Sequence, residues 1–185
     1  MMDAYTEQII KKKKGAVSWA MMLGSLVVSI LFLWLALPFM LSSMLIFAAC
    51  VAAAGWFMWY IIGTQNVEYE YCVTNGDIDI DRIVAQRKRQ RIVSVKGKKL
   101  QNIGLYTADC LAGKQVDRFV MAAPSAKEEG NWYFTYTSKK SGFTAVVFRP
   151  NDKVLKLIYR GLPKLMQLEM ERAGYTDPVD GEDED

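Results

Sequence analysis

The 185-residue chain contains no histidine. That removes the side chain whose ordinary pKa lies nearest neutrality. With it go histidine general bases, histidine-ligated metals and Ser-His or Cys-His nucleophile pairs. Only three cysteines occur, Cys50, Cys72 and Cys110, and none has the close spacing of a metal site or a disulfide framework. No partner that would activate a thiol stands near them, so they read as inert. Neither GxxxxGK nor GxGxxG is present, which excludes the common phosphate-cradling loops. The sequence therefore offers no catalytic, cofactor-binding or metal-ligating residue. The largest absence is charge: residues 15–67 hold no Asp, Glu, Lys or Arg.

A single helix over that interval would reach roughly 80 Å at ~1.5 Å per residue, against a hydrocarbon core of ~30 Å, so two spans fit and one does not. Leu37-Pro38-Phe39 and Ser42-Ser43 break the run, because proline removes a helical hydrogen bond and disfavours helix before it. The spans are expected at 16–37 and 41–62, in a 16–63 hairpin preceded by a basic segment, 1–15. A signal peptide would have a shorter apolar region and an earlier small-residue cleavage site. A soluble core hairpin would rarely run so far without charge. Lys11–Lys14 flank the first span, the connecting loop has no Lys or Arg, and basic residues follow the second span. That asymmetry places both flanks, and so both termini, in the cytoplasm of a multi-pass cell-membrane protein. Trp19, Trp56, Trp59 and Tyr60 are expected as anchors at one membrane interface, with Trp34 and Phe39 at the other. Ala48/Ala52, Ala49/Ala53 and Ser25/Ser29 stand four apart and read as the faces that pack the hairpin, with an oligomer seam as the alternative. No charged residue lies within the spans, which argues against a pump or ion pathway.

Beyond residue 64 the period changes to two. VEYEYCV sets Val67, Tyr69, Tyr71 and Val73 against Glu68, Glu70 and Cys72. Asn75-Gly76 follows, the strongest short hairpin signal. GDIDID then alternates, with Asp77, Asp79 and Asp81 read as its wet face. RIVSV, NWYFTYT and FTAVVF are further strands, and RFVMAA is a short apolar run. Asn151 or Asp152 can cap a helix carrying Leu155, Ile158 and Leu162, which Gly161 and Pro163 interrupt before a second helical piece ending near Gly174. Residues 64–174 are thus expected to form one cytosolic domain. Residues 175–185, rich in Asp and Glu, read as an acidic disordered tail.

Charge of one sign gathers in AQRKRQR, residues 85–91. With Lys96, Lys98 and Lys99 close behind, no carboxylate intervenes between Asp81 and Asp109. Arg87, Lys88, Arg89, Arg91, Lys96, Lys98 and Lys99 are the candidate contacts for anionic lipid or a partner protein. Two spans already anchor the chain, while each surface Lys or Arg adds only ~1 kcal/mol near anionic lipid, so orientation is the role their size allows. A solvated hairpin tip is the plainer alternative. Nucleic acid is disfavoured, because residues 82–99 contain no aromatic side chain to stack on bases.

The aromatic first strand, the Asn-Gly turn, the basic second hairpin, LQNI and a capped last helix resemble the pleckstrin-homology-like (PH-like) fold. A helical hairpin feeding into YEYCVTNGDIDI, RKRQRIVSV and LQNI is similar to bacterial PH-like membrane proteins, over about residues 66–162. The resemblance implies an α+β chain: a two-helix membrane hairpin, then six or seven antiparallel strands in a β-sandwich or half-barrel capped by a C-terminal helix. Lipid-binding members of the fold carry basic residues across their first two strands. Here those strands carry Glu68, Glu70, Asp77 and Asp79. The resemblance thus implies an adaptor rather than an enzyme: a membrane-anchored scaffold or regulator with a protein partner. The alternative is an accessory subunit of a membrane enzyme or transporter, joined through its spans.

Overall fold

A computed structural model describes residues 4–107, 109–111 and 113–177. The chain forms two compact units, one of residues 13–67 and 84–88, the other of 68–83 and 89 onward together with the N-terminal residues up to Lys12.

The first unit is a helical hairpin. Helix α1 spans Ala16–Ala36, a single turn α2 spans Phe39–Ser42, and α3 spans Met44–Thr64. The break falls at Leu37-Pro38 as the sequence suggests. The second long helix, however, starts at Met44 rather than near residue 41. Phe39–Ser42 forms its own turn, and Ser43 is extended (φ −157°, ψ 97°). Both long helices have 21 residues, about 32 Å at ~1.5 Å each. The return leg therefore matches the outgoing one, and Gln65 Nε2 reaches Met21 Sδ at 3.5 Å.

The packing seam differs in part from the expected one. On α1, Ser25, Ser29 and Ala36 are buried, with Ser18, Met22 and Leu33 half-buried along the same stripe. On α3 the seam is Phe47, Cys50, Ala54, Met58 and Ile61, while Ala48, Ala49, Ala52 and Ala53 stay exposed. Alanines occur on every side of this stretch, so their spacing alone gives no direction. The larger residues repeating at three and four set the face.

Among the described residues the second unit holds eight strands. The strands β2 (Val67–Thr74), β3 (Asp77–Val84) and β4 (Lys88–Val95) form a sheet in the order β1-β2-β3-β4, where β1 is Tyr5–Lys11. The first fifteen residues are therefore not simply a basic leader. Tyr5–Lys11 pairs antiparallel with Glu68–Thr74, Tyr5 opposite Thr74 and Lys11 opposite Glu68. Thr6, Gln8 and Ile10 share a face with Val73, Tyr71 and Tyr69, and that alternation is what makes the segment a strand. The Gln8 amide accepts from Asn151 N (2.8 Å) and donates to Arg149 O (3.2 Å), fastening β1 to the start of the last helices.

The other sheet runs β5 (Leu100–Leu105), β7 (Trp132–Ser138), β8 (Gly142–Phe148), β6 (Arg118–Met121). Its β6–β8 pair is parallel, where only antiparallel strands were expected. The chain needs a long connection from β6 to β8 for this, and β7 fills it. Tyr71 joins the sheets: its ring meets Phe148 edge-on at 5.8 Å, and its hydroxyl donates to Ala122 O and accepts from Arg149 N. Ile78, Ile80, Val93, Phe134 and Val146 are buried with it, each worth roughly 1.5–3 kcal/mol over exposure.

Helix α4 (Asp152–Gly161) opens with Asn151 accepting from Val154 N at 2.8 Å and lays Val154, Leu155 and Ile158 on the core. Helix α5 (Lys164–Arg172) follows Pro163 and buries Met166 and Met170. Tyr175, expected to begin the tail, is buried, its ring 6.4 Å from Trp132 and 5.2 Å from Tyr159. The rest of the acidic tail from residue 178 lies outside the described residues.

Asn75 (φ 51°) and Gly76 (φ 86°) make the expected tight turn. Its backbone lies directly against Gly161 at the end of α4 and against Gly97. A Cβ on Gly76 would stand 2.5 Å from Gly161 Cα, and one on Gly97 2.7 Å from Gly76 O. These obstacles are backbone, which cannot rotate away. Gly161→Ala is expected to destabilise the full chain by about 2 kcal/mol or more, and Gly24→Ala, where a Cβ meets nothing within 4 Å, by much less. Thermal melts in detergent check this; equal melting temperatures for the two variants would contradict the crossing.

Candidate functional site

The seven basic candidates divide between the two units, Arg87 and Lys88 in one and Arg89, Arg91, Lys96, Lys98 and Lys99 in the other. The β3–β4 turn and the strand after it separate them into three groups.

Arg87 and Lys88 belong to the unit of the apolar helices. Ala85 N donates to Asn66 O at 2.8 Å, which holds the turn on the residues just past α3. The Arg87 guanidinium then lies over the Trp59 ring, 4.5 Å from its centroid. Such a contact contributes about 0.5–1 kcal/mol at an exposed site and more where water is thin. Ala85 (φ 54°) and Gln86 (φ 55°) occupy the left-handed region without being glycine or asparagine. That conformation costs roughly 1–2 kcal/mol per residue, so the surrounding contacts must hold the turn in it. Trp56 and Tyr60 stack at 5.8 Å nearby on α3, and Trp19 stands in the first turns of α1. All four aromatic candidates are more than half exposed and share one end of the hairpin. Lys88 is exposed at the start of β4.

Arg89 and Arg91 are occupied. The Arg89 guanidinium pairs with Glu70 and reaches Asp81 Oδ2 at 2.8 Å. Arg91 reaches Asp81 Oδ1 at 3.0 Å and Asp79 Oδ2 at 3.2 Å. Glu70 and Asp81, read from alternation as a wet face, are each only 4% exposed. The face opposite the core is thus an ion-pair ladder. Alternation identifies the face, but the arginines that cover it come from a neighbouring strand, which sequence spacing alone does not reveal. Burial pushes the Asp81 carboxyl up, and the hydrogen bonds from Arg91 and Arg89 outweigh it, leaving it below the usual carboxylate range. Glu70 goes the other way: burial, then its bond to the Glu7 carboxyl, raise it despite Arg89. Burial also pushes the Cys72 thiol up, away from the reactive thiolate.

Lys96, Lys98 and Lys99 follow the far end of β4, an eight-residue strand about 26 Å long. Lys98 and Lys99 lie in a 3-10 turn, Gly97–Lys99, whose first N–H donates to Asp77 Oδ1 at 3.1 Å. The three lysines are exposed. Among the described residues no group of three or more His, Cys, Asp or Glu is arranged to hold a metal ion.

The ion-pair ladder gives opposing pH dependences. Asp81, lowered on folding, contributes stability that is complete above an unfolded value near ~3.9 and fades as pH falls through the folded one. Glu70, raised on folding, contributes below its unfolded value of ~4.3 and loses this as pH rises through the folded one. Asp81→Asn is expected to cost about 1 kcal/mol at neutral pH, small because both arginines are half-exposed and can regain water, and the deficit should shrink in acid. Glu70→Gln is expected to cost less at neutral pH than in acid. Melts across the acid range check both; an Asp81→Asn chain as stable as the parent at neutral pH would show that the ladder does not matter to stability.

Comparison with known proteins returns one family. The family described as Bacterial PH-like domain (DUF6106) matches residues 2–167. The match takes in β1 and the helical hairpin as well as the strands from residue 66. No curated protein and no solved structure matches the chain.

Proposed function

We infer the function from one premise: this chain belongs to the bacterial PH-like domain family. It is a non-catalytic scaffold or regulator whose helical hairpin sits in the cell membrane and whose β-rich unit contacts a protein partner or anionic headgroups at the cytoplasmic surface. PH-like domains recognise rather than transform, and a chain without histidine fits that role.

The membrane reading is supported by exposure. Two helices are long and apolar enough to cross a bilayer, and only 11% and 6% of their spans are buried. A core helix of a soluble protein would be mostly covered. In water, side chains such as Val17, Trp34, Leu35 and Leu45 would stay wet at ~25 cal/mol per Å². In lipid the same exposure carries no penalty, and the backbone groups are satisfied within the helices. In this setting the β-rich unit takes the sandwich or half-barrel form of the PH-like fold, and both termini are cytoplasmic.

The observation that carries the scaffold reading is the Arg87–Trp59 contact. It joins the basic turn to the aromatic end of α3, where headgroups would lie. Because Arg89 and Arg91 are neutralised within the sheet, Arg87 and Lys88 are the lipid-facing pair. Lys96, Lys98 and Lys99 are left for a partner. The alternative, an accessory subunit joined through its spans, draws on the exposed alanines of α3.

Exchange of residues 16–64 for an unrelated two-span hairpin separates the readings. The scaffold should still capture its partner in mild detergent, and Lys96→Glu/Lys98→Glu/Lys99→Glu should reduce that capture several-fold. Loss of capture on exchanging the spans, with no effect of the lysine changes, would favour the accessory subunit instead.

A further inference from the structure

The outer face of the first sheet carries more carboxylate than guanidinium. Around Glu70 stand Tyr5, Glu7 and Lys11 on β1, Glu68 and Cys72 on β2, Asp79 and Asp81 on β3, and Arg89 and Arg91 on β4. Lys11 is matched by Glu68 at 3.9 Å. Arg91 binds Asp79 and Asp81, and Arg89 is divided between Asp81 and Glu70. Glu7, Glu70, Asp79 and Asp81 thus face only these two guanidiniums, and Glu70 is nearly buried among them. In the β1–β2 ladder Glu7 stands opposite Cys72, one diagonal step from Glu70 on the same face, a separation that long side chains span. The two carboxyls are hydrogen-bonded to each other, which requires one proton between them. Glu70 holds it. Burial, then the bond to Glu7, push Glu70 up; that same bond, then the Tyr5 hydroxyl donating to Glu7 Oε2 at 2.8 Å, hold Glu7 down. Protonated Glu70 donates to Glu7 and still accepts from Arg89.

We propose that the proton shared by Glu7 and Glu70 latches the N-terminal strand to the sheet, and that its loss releases β1 while the rest of the β-rich unit stays folded. β1 lies at the sheet edge, so its ladder runs along one side only. Tyr5 and Ile9 on its outer face are more than half exposed, so little apolar burial holds that face down. Without the proton two carboxylates oppose each other across neighbouring strands, an arrangement that weakens pairing. Release also withdraws Gln8 from Arg149 O and Asn151 N and turns β2 into an open edge. An open edge is a template for another strand, so the proton state decides whether that template is covered. The inference goes beyond the scaffold reading and does not depend on it, since all of these groups lie in the β-rich unit.

Amide hydrogen exchange of the full chain in detergent, resolved strand by strand and corrected for the intrinsic pH dependence of exchange, tests it. Between about pH 4.5 and about pH 7.5, above the ordinary glutamate value of ~4.3, protection of the β1 amides should fall by up to about tenfold per pH unit and then level off, as one proton is lost. Protection of the β7 amides should stay constant over the same range. Glu70→Gln keeps an N–H donor toward Glu7 and a carbonyl toward Arg89, so its β1 protection should remain high and flat. Glu7→Gln, at an exposed position, should flatten the profile as well. A flat β1 profile in the parent chain, a fall shared equally by β7, or a fall that persists in either glutamine variant would each overturn the proposal.

Discussion

The antiparallel ladder between Tyr5–Lys11 and Glu68–Thr74 joins two stretches of chain separated by the whole apolar hairpin. Everything between them is an excursion from one β-hairpin. Closing so long a loop in a flexible chain would cost about 3–4 kcal/mol. Here the loop is two helices of equal length, packed along Ser25, Ser29 and Ala54, which return the chain to the level at which it left. The ladder supplies the edge of the first sheet. Gln8 on β1 also fixes the loop that caps α4, so the N-terminal strand ties the start of the chain to its last helices. The family match from residue 2 to residue 167 covers the same interrupted domain.

Part of the charge in residues 85–99 is paired within the sheet rather than displayed. The run that looks most like a binding site in one dimension is divided by β4 into residues with different tasks. Arg89 and Arg91 neutralise carboxylates on neighbouring strands and so allow Glu70 and Asp81 to lie nearly buried. Arg87 covers an indole at the end of a membrane-length helix. Pairs of this kind add little stability where water reaches them, but they determine which charges remain for other molecules. The strained Ala85-Gln86 turn belongs to the same economy: it persists because the end of α3 holds it.

Much of the fold was legible in one dimension because local rules and the global fold agree there. The uncharged interval, the Leu37-Pro38 break, the alternation in VEYEYCV, the Asn75-Gly76 turn and the Asn151 cap each report a short-range preference. The failures share a cause as well. Tyr5–Lys11 reads as a leader because its partner strand is some sixty residues away. The face of α3 could not be read from alanines that appear on every side. Asp81 looked wet because alternation gives a face but not what covers it, and the parallel β6–β8 pair depends on a crossover that no local pattern encodes. Of the candidate site, residue types were legible and grouping was not, since the division of the basic run follows from register between strands.

The proposed role at a membrane surface requires lipid to be the solvent of residues 16–64. Alkaline extraction of membranes from cells producing the full chain measures this directly. The chain should remain with the sedimented bilayer and enter solution only with detergent. Recovery in the supernatant without detergent, as a folded protein, would mean that the apolar helices are covered by something other than lipid and that the membrane-surface account is wrong.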